Sequence, residues 1–302
     1  MSEIKGLVKR YGTYTAVQGL DLSVGKADIC GFIGPNGAGK TTTLKILMGL
    51  IRADAGRASV LGHDVRETEF RRHVGFLPEA PYFYDHLTGR EVLDFYARVC
   101  GVPKAPRARR IETLLEWVGL SDAGGSRLRT YSKGMLQRVG IAQALIHDPQ
   151  VVFLDEPMSG LDPIGRKEIR DLIVRLHSEG KTVFMNTHIL SDVEMLCHRV
   201  AIIVEGAIRY EGDPHAVLGD DERDTEVVLT GVPPDLIEAL EARSQATLRG
   251  VGDRIELRVP HKQVGVLLGS ALNAGAQVIS VSPRRATLES LFLTAVEQGE
   301  RR

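Results

Sequence analysis

The run Gly34-Pro35-Asn36-Gly37-Ala38-Gly39-Lys40-Thr41-Thr42 constrains this chain more than any other segment. It has the spacing G-x-x-x-x-G-K-[ST]. It lies between an apolar run, Ala27 to Ile33, that reads as a buried strand and a helical pattern from Lys40 to Leu50. Glycines there let successive backbone N–H groups converge on phosphate oxygens, and the following helix turns its positive dipole end toward them. Lys40 is placed to reach the β- and γ-phosphates of a nucleotide, and the Thr41 hydroxyl to ligate Mg²⁺. The bland alternative is a glycine-rich turn that matches by accident. The lysine, the threonine and the flanking strand and helix together argue against it.

Phosphate chemistry needs acidic groups as well. Val151-Val152-Phe153-Leu154-Asp155-Glu156-Pro157 supplies them, four apolar residues carrying two carboxylates to a strand end. Asp155 is expected to hold Mg²⁺ through its hydration shell, and Glu156 to accept a proton from an attacking water. An acidic turn after a buried strand is common by itself; beside the glycine loop it gains meaning. Through the first 215 or so residues, strand-like runs (Val151 to Leu154, Thr182 to Asn186, Val200 to Val204) alternate with helical stretches. That alternation predicts an α/β fold with a largely parallel sheet covered on both faces, and the glycine motif set in it resembles the P-loop of a P-loop NTPase cassette. Between Leu87 and Leu145 the pattern is mostly helical, with helices predicted over Arg90 to Cys100, Pro106 to Val118 and Lys133 to Ile146. This reads as a helical subdomain inserted into the core.

Composition shifts near Gly219, where Gly219-Asp220-Asp221-Glu222-Arg223-Asp224 reads as a charged linker. Beyond it come a strand (Thr225 to Thr230), a helix (Pro233 to Arg243) and two strands (Ala246 to Gly250, Arg254 to Val259). A helix (Lys262 to Ala274) and a strand (Gln277 to Val281) follow. The β-α-β-β-α-β order predicts a small α+β, ferredoxin-like domain. A last helix over Leu288 to Gln298 closes the chain. The expected division is a nucleotide-binding domain over 1–218, a linker over 219–224 and an accessory domain over 225–302. No residue of the accessory domain suggests chemistry of its own, and packing or dimerisation describes it as well as regulation does.

Bulk properties narrow the setting. A chain of 302 residues holds two domains comfortably. A formal net charge of −1 lacks the basic excess of a nucleic-acid protein. Cys30, Cys100 and Cys197 are widely spaced and odd in number, as expected of free thiols in a reducing compartment. The N-terminus has no secretory core, and no run of about 18 apolar residues could span a bilayer. A cytoplasmic protein is expected.

Further motifs identify the branch. Tyr131-Ser132-Lys133-Gly134-Met135-Leu136-Gln137-Arg138 resembles the signature of ATP-binding cassette (ABC) proteins, usually Leu-Ser-Gly-Gly-Gln. Ser159-Gly160-Leu161-Asp162-Pro163 is similar to that family's D-loop, and Asn186-Thr187-His188 to its switch-histidine loop. Arg10-Tyr11-Gly12 and Ala16-Val17 resemble its adenine-stacking segment. The five elements stand in the family's order and cover the first domain.

The resemblance implies an ATP-hydrolysing transporter subunit that uses Mg²⁺. Two copies would pair head-to-tail as an ATP-dependent homodimer that drives a separately encoded transmembrane permease on the cytoplasmic face. Tyr11 would stack on adenine with Val17 beside it. Gly34 to Thr42 would cradle the phosphates, and Ser132 with the Gly134 amide would contact the γ-phosphate in the opposite subunit. Asp162 would couple the two sites, and His188 would bond the γ-phosphate and position water. Two departures stand out. Lys133 and Met135 replace the usual Gly and Gln, and Glu79, in Phe76-Leu77-Pro78-Glu79, stands where a Gln commonly offers Mg²⁺ a neutral oxygen. Both departures, and the ending Ala286-Thr287-Leu288-Glu289-Ser290-Leu291-Phe292-Leu293, resemble a branch that exports drugs, antibiotics or polysaccharides. Tyr82, Phe83 and Tyr84 form an aromatic cluster that reads either as core or as a contact with the permease.

Two other readings were weighed. A soluble cassette acting on ribosomes or DNA would carry two cassettes, sustained heptads or a cysteine cluster, and this chain has none of these. A purely regulatory cassette is opposed by Lys40, Glu156 and His188, although Met135 and Glu79 are the changes it would need.

Overall fold

The strand that leads into the glycine loop, Ile29–Ile33 (β3), is buried at all five positions and lies inside a six-stranded sheet. The structure is a computed structural model that describes residues 2–214, 224–233, 249–251, 254–283 and 288–300. On one side of β3 stand Thr182–Thr187 (β8), Val151–Asp155 (β7) and Val74–Leu77 (β6); on the other stands Arg199–Val204 (β9). These five strands run parallel, and Ala207–Gly212 (β10) folds back on β9 as an antiparallel edge. Strands β7 and β8 are buried throughout, as required where helices cover both faces of a parallel sheet.

A second sheet, absent from the sequence expectation, is antiparallel. It runs Tyr14–Val24 (β2), Ser2–Tyr11 (β1), Ala55–Val60 (β4), His63–Asp64 (β5) in that order. Its register slips three times between β1 and β2, and Gly6 and Gly19 there have positive φ. Such bulges break the period-two alternation by which a half-buried strand is read from sequence. Leu7, Val17 and Leu20 of this sheet share one core with Phe32, Leu44, Phe153 and Phe184.

The helix after the glycine loop, Lys40–Leu47 (α1), stops earlier than predicted because Gly49 takes a left-handed φ of 65°, and the Leu50 N–H reaches back to the Lys45 carbonyl. Gly89–Val99 (α2), Lys104–Trp117 (α3) and Lys133–Leu145 (α4) form the helical insertion within a residue or two of expectation. Thr88 and Glu91 cap α2 reciprocally, each side chain bonding the other's backbone N–H. Pro163–Ser178 (α5) and Leu190–Leu196 (α6) complete the α/β part.

Two compact units divide the chain, Met1–Pro214 with Phe292–Arg302, and His215–Leu291. In the second, Asp224–Thr230 (β11), Arg249–Val251 (β12), Arg254–Pro260 (β13) and Gln277–Pro283 (β14) form an antiparallel sheet, with the helix Val264–Asn273 (α7). The order β12-β13-β11-β14 is that of the split βαβ arrangement, and Val227, Leu229, Leu257, Val259 and Leu267 make its core. Beyond Pro233 the helix expected over Pro233 to Arg243 lies outside the described residues, as does the linker up to Arg223. The final helix, Leu288–Glu300 (α8), straddles the division, its residues from Phe292 grouping with the first unit, whereas the sequence expectation put all of 225–302 in the second. No helix among the described residues is long and apolar enough to cross a membrane.

Candidate nucleotide site

Two glycines in the loop between β3 and α1 are dictated by neighbours. A Cβ on Gly34 would run into the Ile203 carbonyl oxygen, and one on Gly39 into that of Ala16, where φ is also +105°. The loop is thus pressed against β9 and β2, and no side chain caps the first turn of α1. An uncapped helix N-terminus leaves N–H groups for a ligand. Lys40 curls back over the loop, its ammonium donating to the Gly34 and Pro35 carbonyls at 2.7 and 3.2 Å. Burial pushes its pKa down, against the opposing pull of Glu156, Asp155 and Glu79.

The acids come from β7, separated from β3 by β8 alone. Asp155 ends β7 and is buried, which raises its carboxyl above the ordinary range, helped by the charges of Glu79 and Glu156. Asn186 on β8 opposes the rise, its side-chain amide donating to Asp155 Oδ1 at 3.1 Å. The same residue's backbone carbonyl accepts the Glu156 N–H at 3.0 Å. Glu156 sits at φ 51°, a left-handed conformation that a non-glycine residue holds only when its surroundings insist. Its carboxylate accepts the Nδ1–H of His188, a half-exposed side chain just past β8, at 2.8 Å.

These groups share one cleft of about 370 Å³, lined by Tyr11, Tyr14, Ala16, Asn36 to Thr42, Glu79, Asp155, Glu156 and His188. Val17 does not line it. Its side chain is fully buried in the core, and Ala16 takes the cleft position instead. Tyr14 lies in no motif, and Asn186 enters the histidine motif only as its first residue; strand register, which motifs do not report, brings both to the site. Tyr11 is half exposed, with the Lys9 ammonium 5.3 Å from its ring centroid.

The remaining expected residues stand elsewhere. Ser132 caps α4, accepting the Met135 N–H at 3.2 Å, and Asp162 caps α5, accepting that of Gly165 at 2.8 Å. The Lys133 side chain lies across Gly160, and Gly134 packs near Leu161, so the signature and D-loop segments touch within one chain. A separate groove of about 1110 Å³ runs beside Phe76, Pro78, Tyr96, Val102 and His147 and contains none of the acids or glycines. It exceeds the nucleotide cleft in size, but phosphate chemistry requires the cleft's groups.

Mg²⁺ suits the donor set. Thr41, Asp155 and Glu79 bring a hydroxyl and two carboxylates to one cleft, all hard oxygen donors. No cluster of three or more His, Cys, Asp or Glu among the described residues forms a protein-only cage. Mg²⁺ is ordinarily held by one or two carboxylates with water and nucleotide phosphates completing the shell.

A glycine loop between a parallel strand and a helix, a paired acid one strand removed in the same sheet and a helical insertion define a P-loop nucleotide-binding protein. The comparisons give the branch. The ABC transporter family profile matches residues 17–159. An uncharacterized ABC transporter ATP-binding protein of Synechocystis is 44% identical, over 92% of this chain and 78% of its own. A daunorubicin resistance ATP-binding protein of Streptomyces coeruleorubidus is 34% identical over 96% and 94%, and a bacitracin transport ATP-binding protein of Bacillus licheniformis is 43% identical over 68% and 67%. Among solved structures, the ATP-binding subunit of an ABC transporter superposes with a TM-score of 0.66 at 30% identity, covering 72% of this chain and 91% of that one. This chain belongs to the ATP-binding proteins of ABC transporters.

Proposed function

We propose that this chain hydrolyses MgATP at the Lys40–Glu156 cleft and so powers export through a separately encoded permease. The observation that carries the reading is the meeting of Lys40, Thr41, Glu79, Asp155, Glu156 and His188 in one cleft. ATP would lie with its base on Tyr11 and its phosphates along Gly34 to Thr42, the Lys40 ammonium turning from the loop carbonyls to the β- and γ-oxygens. Mg²⁺ held by Thr41, Asp155 and Glu79 would neutralise phosphate charge. The water oxygen bonds to the γ-phosphorus as the bond to the bridging oxygen breaks. Glu156 takes the water's proton, and ADP leaves with the bridging oxygen. His188, hydrogen-bonded to Glu156 before the nucleotide arrives, would bond the γ-phosphate and help position the water.

In this reading two copies close head-to-tail as a homodimer. Ser132 and the Gly134 amide, at the exposed start of α4, meet the partner's γ-phosphate, and Asp162 links the sites through the contact between signature and D-loop. Export is supported by the daunorubicin and bacitracin relatives. A permease contact is favoured for the aromatic cluster because Tyr82 is 88% exposed and Tyr84 58%, too open for core. The chain would then sit peripherally on the cytoplasmic face, 1–218 forming the motor and the residues from 225 up to Leu291 an accessory domain.

Phosphate release by the full chain, with and without Mg²⁺, tests the reading against Lys40→Ala. Metal-dependent turnover lost in Lys40→Ala supports it. Turnover retained by Lys40→Ala sinks the site assignment.

A further inference from the structure

Tyr11 and Tyr14 face each other across the tight hairpin that joins β1 to β2, with only Gly12 and Thr13 between them. Residues directly opposite on antiparallel strands project to the same face, and both rings line the nucleotide cleft. Both are half exposed, so burial does not hold them. The hairpin is tethered at two points. Behind the tip, Asp54 accepts bonds from the Lys9 ammonium and the Arg10 N–H. At the tip, the Tyr14 hydroxyl donates to the carbonyl of Gly37, in the middle of the glycine loop, at 2.8 Å.

We propose that Tyr14 is a positioning residue for the nucleotide: its hydroxyl ties the strand that carries the base platform to the loop that cradles the phosphates. A nucleotide gains affinity when its base and phosphates find both halves already set at its own span, because less ordering remains to be done on binding. The Tyr14–Gly37 bond is a direct hydrogen bond between those halves, beside the packing of Gly39 against Ala16. A ligand with phosphates and no base gains nothing from it. The inference rests on the ATP reading of the cleft and adds to it a residue outside the motifs.

Tyr14→Phe removes the hydroxyl and keeps the ring. Dissociation constants of the full chain for ATP and for inorganic tripolyphosphate, measured by calorimetry, provide the test. The expected result is ATP binding weakened about threefold to tenfold, the worth of one net hydrogen bond. Tripolyphosphate binding should stay within about twofold. In a Tyr11→Ala background, where the platform is gone, Tyr14→Phe should add less than about twofold, so the two changes are non-additive. Unchanged ATP affinity, equal weakening of both ligands, or additivity with Tyr11→Ala would each overturn the proposal. Lys40→Ala separates the two claims. If it binds ATP as the wild type does, the ATP site itself is misplaced; if it loses both ligands, any failure belongs to Tyr14 alone.

Discussion

Glu156→Gln isolates proton acceptance from shape. The amide has the carboxylate's size, so it can keep the left-handed backbone at φ 51° and the N–H bond to the Asn186 carbonyl. Its oxygen can still accept the His188 Nδ1–H that Glu156 takes at 2.8 Å. What it cannot do is accept a proton from water. A positioned general base contributes roughly 10²- to 10⁴-fold, so turnover should fall by that factor, about 3–5 kcal/mol of barrier. ATP affinity should not weaken, because one of three carboxylates around Lys40 has lost its charge. Phosphate release, calorimetric binding of ATP and size exclusion in ATP measure the three quantities. Slowed turnover with intact binding and an ATP-trapped dimer is the expected set. Turnover at the wild-type rate would refute the general-base role, and loss of binding would show that the carboxylate shapes the cleft rather than acting on water.

Other outcomes follow from the same geometry. Gly39→Ala places a Cβ against the Ala16 carbonyl at φ +105°, so nucleotide affinity should drop at least tenfold and the thermal midpoint should fall, by about 1–3 kcal/mol of strain. Asp155 has a folded-state pKa above its unfolded value, chiefly through burial. The folded state therefore binds more protons between those two values, and stability falls as pH rises through that window. At neutral pH the ionised carboxylate is a burden on the metal-free fold. Asp155→Asn should accordingly raise the midpoint there, by about 2–4 °C per kcal/mol relieved, while abolishing Mg²⁺-dependent turnover. Arg170 donates to Asp192 at 2.8 Å, and Asp192 is buried. Arg170→Met strands that charge and should destabilise by about 3–5 kcal/mol in urea unfolding, with Asp192→Asn in the same chain recovering most of the loss.

Much of the site could be read from the sequence because its chemistry is local. Gly34 to Thr42 and Val151 to Glu156 are contiguous, and each carries its own strand and turn. Tyr14 stands in no motif because it matters through a partner on another element, Gly37; Asn186 stands in the histidine motif, but its hold on Asp155 depends on strand pairing that the motif does not report. Val17, expected beside the adenine, is buried in the core while its neighbour Ala16 lines the cleft, because strand geometry decides which of two neighbours faces it. Strands β3, β7, β8 and β9 were legible as apolar runs, whereas the four-residue β6, with Gly75 inside it, was not. The antiparallel sheet was not, since its bulges at Gly6 and Gly19 scramble the alternation that would have announced it.

Asn186 grips both acids at once, Asp155 by its side chain and Glu156 by its backbone. One residue of β8 therefore holds both acids to which metal holding and water activation are assigned in the proposed reaction. A shear of β8 against β7 by even one ångström would stretch both bonds together.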